Sequence, residues 1–240
     1  MMSFLMPWQA TPVTDSLAQA AQAAGDEPVE KTLSVIDLIF NSGTAGLIII
    51  GLLFLMLFVA LFIYFERLSA IKQASKVDPN FMMQIKHYIK NGDIQGALQL
   101  ARQANTPVAR LIAKGISRIG KPLDDINKAI ENAGKLEVYQ LEKNVSILAM
   151  IAGAAPMLGF LGTVVGMILA FHNMASGGGK IEVSSLAQGI YTAMTTTVAG
   201  LIVGIVAYLF YNHLVVKTDK VVHIMEANVV EFMDMLNEPV

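Results

Sequence analysis

A stretch of 36 residues, from Asn144 to Gly179, contains no Asp, Glu, Lys or Arg. An uncharged apolar run of about 18 residues or more is long enough to cross a membrane as a helix. Small residues recur in it every three or four positions, so a helix places them on one stripe: Ala149, Ala152, Pro156, Gly159, Thr163, Gly166 and Ala170. Small side chains allow the backbones of membrane helices to approach closely. The stretch therefore predicts a transmembrane helix that packs closely against other helices. A simple membrane anchor would need no such stripe.

Two further uncharged runs, residues 38–65 and 183–216, are also long enough to span a membrane. The first has a dense core of Leu, Ile and Phe from Leu47 to Phe65, and a helix of about 19 residues extends about 28 Å. The second has its own stripe of small residues: Gly189, Ala193, Thr196, Gly200, Val203 and Ala207. The whole chain is 54% hydrophobic and only 15% charged. We therefore expect an all-α integral membrane protein with three transmembrane helices.

The polar region between the first two spans, residues 66–143, holds every Lys and Arg of the chain except Lys31, Lys180, Lys217 and Lys220. Basic residues concentrate in the cytoplasmic loops of membrane proteins, which fixes the predicted orientation. These basic residues alternate with Asp and Glu, which favours a solvated surface over a nucleic-acid-binding patch.

The predicted domain organisation follows from the three spans and this orientation. The N-terminus is expected outside the cell membrane and the C-terminus in the cytoplasm. An amphipathic segment at 32–40 is either an interfacial helix or an irregular lead-in. The segments are an external tail at 1–44, transmembrane helices at 45–65, 144–173 and 184–212, a cytoplasmic helical region at 66–143, an external turn at 174–183, and a cytoplasmic C-terminal helix at 213–240.

Capping residues divide the cytoplasmic region into short helices. Gly92-Asp93 predicts a helix end followed by an N-cap, Thr106-Pro107 predicts an N-cap followed by Pro in the first turn, and Gly120–Pro122 predicts a third break. Helices are therefore expected near 79–91, 93–104, 107–119 and from 124 onward.

The second and third spans are both expected to extend into the cytoplasm. An apolar stripe runs from Ile126 to Leu148 without a helix breaker, which predicts one continuous helix that starts in water and enters the second span. Beyond Asn212 an amphipathic pattern continues, so the third span is predicted to extend as a long helix to about Asn237.

No catalytic, cofactor or metal site is predicted, and the chain is not expected to be an enzyme. His87, His172, His213 and His223 form no pair with the three- or four-residue spacing of a helical metal site, and the chain contains no Cys. The segment Gly177–Lys180 lacks the spacing of a phosphate-binding loop.

The remaining polar residues of interest in the spans are threonines. Thr163 lies in the first small stripe, and Thr192, Thr195, Thr196 and Thr197 crowd the start of the third span. Threonine hydroxyls often bond to carbonyls of their own helix or pack between helices. Alternatively, if the two stripes face a shared interior, the hydroxyls line it. The residues themselves leave both interpretations open.

The segment Ala155–Met167, together with Gly189–Gly204 and Tyr211-Asn212, resembles the MotA/TolQ/ExbB proton-channel family. The order of three spans and the helices around Gly92-Asp93 and Pro107–Arg110 are more similar to ExbB and TolQ than to MotA, which has four spans. The resemblance covers roughly residues 45–236.

The resemblance implies a multi-pass subunit of the bacterial inner membrane, so that the N-terminal tail at 1–44 and the turn at 174–183 are periplasmic and the C-terminus is cytoplasmic. It implies a homo-oligomer, a pentamer, around a single-span ExbD-like or TolR-like protein that works with a TonB-like or TolA-like protein. Such complexes use proton-motive force to energise TonB-dependent outer-membrane transport or to maintain the envelope. An ExbB-type subunit is the preferred function, and a TolQ-type subunit or a structural scaffold without an ion path remain alternatives. A transporter or a membrane enzyme is the weakest alternative, because the spans carry no buried carboxylate or basic site and no inverted repeat is evident.

The resemblance also assigns roles to individual residues. Thr163 and Thr197 correspond to channel-associated threonines of the family, and Thr192 stands where ExbB and TolQ often carry Glu. The predicted channel-lining residues are Thr163, Thr192, Thr196 and Thr197. The predicted helix-packing residues are Pro156, Gly159, Gly162, Gly166, Gly189 and Gly200. We expect the two small stripes to join the subunits of the oligomer.

Overall fold

The computed structural model describes residues 43–176 and 183–237, and these residues form seven α-helices and no strand. The helices are α1 (Gly43–Ala74), α2 (Phe81–Lys90), α3 (Ile94–Ala104), α4 (Pro107–Ile116), α5 (Leu123–Glu142), α6 (Val145–Ser176) and α7 (Val183–Asn237). The predicted all-α fold is confirmed. The tail at 1–42, with its amphipathic segment, and most of the predicted periplasmic turn lie outside the described residues.

Three helices are long and apolar enough to cross a membrane, over Gly46–Ala74, Val145–Ser176 and Leu186–Asn237. These are the three spans that the sequence predicts. Helix α1 continues beyond the predicted span end at residue 65, because no helix breaker occurs before Asp78-Pro79. Helix α7 is continuous for 55 residues and ends at Asn237, as predicted.

The short helices begin and end close to the predicted bounds, although the first begins at Phe81 and not at 79, and the third ends at Ile116 and not at 119. Asp93 caps α3, since its Oδ1 accepts a hydrogen bond of 2.8 Å from the Gly96 backbone N–H, and Gly92 before it has φ +75°. The Thr106 hydroxyl accepts one of 3.2 Å from Ala109 N–H, with Pro107 in the first turn of α4. Gly120, with φ +95°, ends the segment after α4.

The prediction of one continuous helix from the cytoplasmic region into the second span is wrong. Helix α5 ends at Glu142 and α6 begins at Val145. Lys143 has φ −52° and ψ 132°, and Asn144 has φ +64°. Neither conformation can continue a right-handed helix, and Asn is among the few residue types that enter the left-handed region readily. The second span is thus connected to α5 by a joint at residues 143–144.

Helices α6 and α7 pack along each other, and α1 packs against both. Helix α1 buries Ile50, Leu53, Ala60 and Ile63 against them. Its opposite side presents exposed Phe residues four positions apart, at Phe54, Phe58 and Phe62. Helical periodicity separates these two faces, and the Phe face suits contact with lipid.

The short helices and the second half of α7 share an apolar core. Helix α4 is its centre, because Val108, Ile112 and Ile116 are almost completely buried where α4 meets α3, α5 and α7. Phe232 of α7 is fully buried there, and a Cβ on Gly115 would lie 2.6 Å from its ring. A glycine at position 115 therefore allows the long helix to dock on α4.

Candidate functional site

The two stripes of small residues meet each other where α6 and α7 cross. A Cβ built on Gly200 would lie 2.6 Å from the Ala155 carbonyl oxygen and 2.8 Å from Gly159 Cα. One built on Gly159 would lie 2.9 Å from the Thr196 carbonyl oxygen. Real side chains essentially never approach backbone this closely, so glycine permits direct contact between the two backbones.

The other predicted packing residues continue the same contact in both directions. Gly162 faces the Thr196 side chain, Gly166 faces Ala193, and Gly189 faces Ala170. The contact therefore extends over several turns of each helix.

Pro156 lies at one end of the contact, against a residue that the sequence analysis missed. A Cβ on Gly204 would lie 2.6 Å from Pro156 Cγ and 3.2 Å from the Ala152 carbonyl oxygen. Proline at position 156 leaves that carbonyl without its usual intrahelical donor. Gly204 follows Gly200 by four residues, so helical spacing was the signal that could have identified it.

Our expectation that the two stripes join separate subunits needs revision. Beside the described glycines of both stripes, the space that a side chain would need is already filled by atoms of the same chain. The packing role of these residues in an assembled complex stays a prediction.

Three of the four predicted channel threonines come together at the centre of the contact. Thr163 of α6 and Thr197 of α7 are hydrogen-bonded to each other through their hydroxyls. Thr163 Oγ1 also lies 3.2 Å from the Ala193 carbonyl oxygen, and Thr197 Oγ1 lies 3.1 Å from that of Gly159. A hydroxyl carries one proton, so one of the two donates to the other, and the accepting hydroxyl is left to donate to a carbonyl of the opposite helix.

Thr196 occupies the buried side of this threonine cluster. Its side chain is completely buried and donates a hydrogen bond of 2.8 Å to the Ala193 carbonyl of its own helix. Thr163 and Thr197 are only partly buried, so they are the members of the cluster that a neighbouring chain or water could reach. Thr192 is partly buried, and its hydroxyl forms no hydrogen bond with the side chains of Thr163, Thr196 or Thr197, so it stands apart from the cluster.

The cluster is polar but carries no group that titrates near neutral pH. No Asp, Glu, Lys or Arg occurs in α6 or in α7 before Lys217. The part of the chain that the structure describes contains no grouping of His, Asp and Glu suited to a metal ion. His213 is next to Tyr64, with ring centroids 6.0 Å apart, and lies more than four helical turns from Thr197 along α7. The arrangement can hydrogen-bond to water or to a carboxyl group, but it cannot itself take up a proton.

Residues 103–227 match the MotA/TolQ/ExbB proton channel family, and this segment includes the whole threonine cluster. The chain belongs to this family. The match covers more than half of the chain and confirms the resemblance that the span motifs indicate. The MotA/TolQ/ExbB match begins at the end of α3 and reaches into the second half of α7, so it leaves α1 outside.

Individual relatives carry the names of two systems within the MotA/TolQ/ExbB family. A putative biopolymer transport protein ExbB homolog of Methanothermobacter thermautotrophicus is 26% identical over 155 residues, covering 64% of this chain and 54% of that protein. Biopolymer transport protein ExbB of Helicobacter pylori is 36% identical over 92 residues, covering 38% and 62%. The Tol-Pal system protein TolQ of Haemophilus influenzae is 31% identical over 120 residues, covering 50% and 48%. The chain spans less than two thirds of the length of each of these relatives.

Proposed function

We propose that this chain is the channel subunit of an ExbB-type complex in the bacterial inner membrane, which uses proton-motive force to energise TonB-dependent outer-membrane transport. The observation that carries the proposal is the partly exposed Thr163–Thr197 hydroxyl pair at a glycine-packed contact between two spans of this proton channel family. Hydroxyls at membrane depth are suited to guiding a proton or a protonated group past an apolar layer.

The proton-binding group in this proposal belongs to a partner. A proton that crosses the membrane gains about 2.3 kcal/mol per 100 mV, and some group at membrane depth must bind and release it to use that energy. The uncharged stretches of α6 and α7 offer no such group. We therefore assign the titrating carboxylate to the single span of an ExbD-like protein, facing Thr163 and Thr197.

The assembly we propose is a pentamer of this chain around that partner, with a TonB-like protein as the next component. The small stripes pack within each chain, so in this proposal other surfaces form the contacts between subunits. These are the exposed apolar side chains of α6 and α7, among them Met157, Phe160, Met194 and Val198. The proposed orientation places the N-terminus in the periplasm and residues 66–143 in the cytoplasm.

Reconstitution tests the proposal against the scaffold alternative. The chain would be placed in lipid vesicles alone, with an ExbD-like partner, and with that partner carrying Asn in place of its intramembrane Asp. Proton flux under an imposed potential would be followed with a pH-sensitive dye. We expect flux only with the unmodified partner. Absence of flux in all three samples would favour a scaffold without an ion path, and flux from the chain alone would refute the assignment of the carboxylate to the partner.

A TolQ-like function is the second candidate, and the 31% identity to a TolQ over half of the chain favours it. The two systems differ in the phenotype that the protein should restore. Expression in strains lacking either ExbB or TolQ, followed by measurement of TonB-dependent uptake and of detergent sensitivity, distinguishes them. An ExbB-type subunit is expected to restore uptake more completely than envelope integrity.

A further inference from the structure

A side chain of the first span reaches the joint between α5 and α6. Arg67, on α1, donates a hydrogen bond of 3.3 Å from Nη1 to the backbone carbonyl of Gln140. Gln140 lies in the last turn of α5, where carbonyls have no partner within the helix. A positive charge is also favoured at this end of a helix by the helix dipole. Arg67 therefore caps α5 from a different helix.

Glu66 holds the guanidinium of Arg67 in this position. Arg67 Nη2 lies 2.6 Å from Glu66 Oε1, and the Arg67 side chain is only 11% exposed. Its Nε is buried and has no hydrogen-bond partner among the described residues. Burial of an unpaired N–H is unfavourable, so the bonds to Gln140 and Glu66 must supply the energy that keeps the side chain there.

The backbone at residues 143–144 does not by itself fix the angle between α5 and α6. The conformations of Lys143 and Asn144 interrupt the helical hydrogen bonds between Glu142 and Val145. Helix α5 packs on α4 and α7 along its length and meets α1 at its carboxyl end. On the same helix, Tyr64 stacks on Phe210 of α7 with ring centroids 4.1 Å apart, so α1 is itself anchored at this level.

We propose that Arg67 is a latch that holds the joint between the cytoplasmic helices and the second span, by capping α5 from the anchored end of α1. The latch concerns the conformation of the joint and does not depend on the proposed proton-channel function. In its absence α5 loses its carboxyl-terminal cap, and residues 139–147 gain the freedom to open locally.

Hydrogen–deuterium exchange on the full-length protein in lipid nanodiscs tests the latch. We expect Arg67→Ala to speed amide exchange at residues 139–147 roughly tenfold, as expected for loss of a hydrogen bond from a charged group. Arg67→Lys keeps the charge but cannot donate to Gln140 and Glu66 as a planar fork, so an intermediate increase is expected. Arg102→Ala is the matched control, because Arg102 is also in the last turn of a helix but is exposed.

The residues at which amide exchange becomes faster decide whether the latch is supported. Faster exchange that is confined to residues 139–147 supports the latch. Unchanged exchange in Arg67→Ala would overturn it, and so would faster exchange throughout α5, including buried Ile130, because Arg67 would then support the whole fold. If Arg67→Ala does not fold, Arg67→Lys is judged by the same criteria, and exchange equal to that of the parent overturns the proposal.

Discussion

The hydroxyls of Thr163 and Thr197 are the partly exposed polar groups of the α6–α7 contact. Valine has nearly the shape of threonine but no hydroxyl. A Thr163→Val/Thr197→Val variant should therefore keep the packing of the helices and lose the polar groups. If these hydroxyls face the partner's carboxylate, proton-driven activity is expected to fall about tenfold or more, since one hydrogen bond contributes about 1 kcal/mol and two groups are removed. Proton flux in vesicles measures this, and native mass spectrometry checks the oligomer.

Thr195→Val is the matched control for this change. The Thr195 hydroxyl donates to the Tyr191 carbonyl of its own helix at 2.8 Å and takes no part in the threonine cluster. Its loss is expected to leave the flux unchanged. Full activity in the Thr163→Val/Thr197→Val variant would remove the two hydroxyls from the mechanism.

Arg110 of α4 and Glu137 of α5 form a bidentate ion pair. Arg110 Nε and Nη2 donate to the two Glu137 oxygens at 2.6 and 2.5 Å, and Nη1 donates to Asn105 at 3.2 Å. Arg110→Ala would leave Glu137, whose side chain is 11% exposed, without its partner. We expect the free energy of unfolding to fall by about 1–3 kcal/mol, less than for a fully buried pair because Arg110 is 42% exposed.

Denaturant unfolding of the protein in detergent measures this loss, and Arg102→Ala serves again as the exposed control. The hydrogen bond to Glu137 raises the pKa of Arg110 above its already high usual value. A raised pKa stabilises the folded state at every pH below the unfolded value, so protonation of Arg110 should add no pH dependence between about pH 5 and 9. A loss below about 0.5 kcal/mol would show that the pair contributes little to stability.

At the level of helices, sequence patterns were sufficient to locate a helix end wherever a capping residue or a helix breaker marks the boundary. Asp93, Thr106 and Gly120 were identified in this way, because capping and positive φ require particular residue types. The joint at Asn144 was missed, because an apolar stripe that continues across a boundary says nothing about the backbone conformation of a single residue. The packing of the two small stripes against each other within one chain was also not anticipated, since closely packed glycines look the same within a chain as between chains.

The glycine contact between α6 and α7 can be tested with a single methyl group. Gly200→Ala places a Cβ 2.6 Å from the Ala155 carbonyl oxygen, and backbone atoms of a packed helix cannot move aside easily. We expect a loss of about 1–3 kcal/mol of stability, as for other overpacked sites. Gly153→Ala, on the same helix pair, meets no atom within 4 Å and should be neutral or slightly stabilising.

Thermal unfolding of the two variants in the same detergent gives the comparison. A midpoint that drops in Gly200→Ala and holds in Gly153→Ala supports close backbone packing within the chain. Equal midpoints in both variants, combined with a loss of the oligomer in Gly200→Ala only, would contradict close packing within the chain. The stripe would then be assigned to the contact between subunits.

For the molecule as a whole, the distribution of Lys and Arg predicts the direction in which the helices cross the membrane. The three apolar helices can be threaded through a membrane in two opposite directions, and their packing is the same in both. Only the side of the basic segment distinguishes the two directions, because Lys and Arg concentrate in residues 66–143. The proposed energy coupling depends on this choice, since it sets which end of the threonine cluster faces the source of protons.

Single introduced cysteines can determine the direction, because the chain contains none of its own. Lys128 is exposed on α5 and Lys180 belongs to the short segment between the second and third spans. We expect a membrane-impermeant maleimide to label Lys180→Cys in cells with a permeabilised outer membrane. Lys128→Cys should react only after the inner membrane is also opened. The reverse pattern would place the basic helices and the Arg67 joint outside the cell membrane, and the direction of proton entry that we propose would then be wrong.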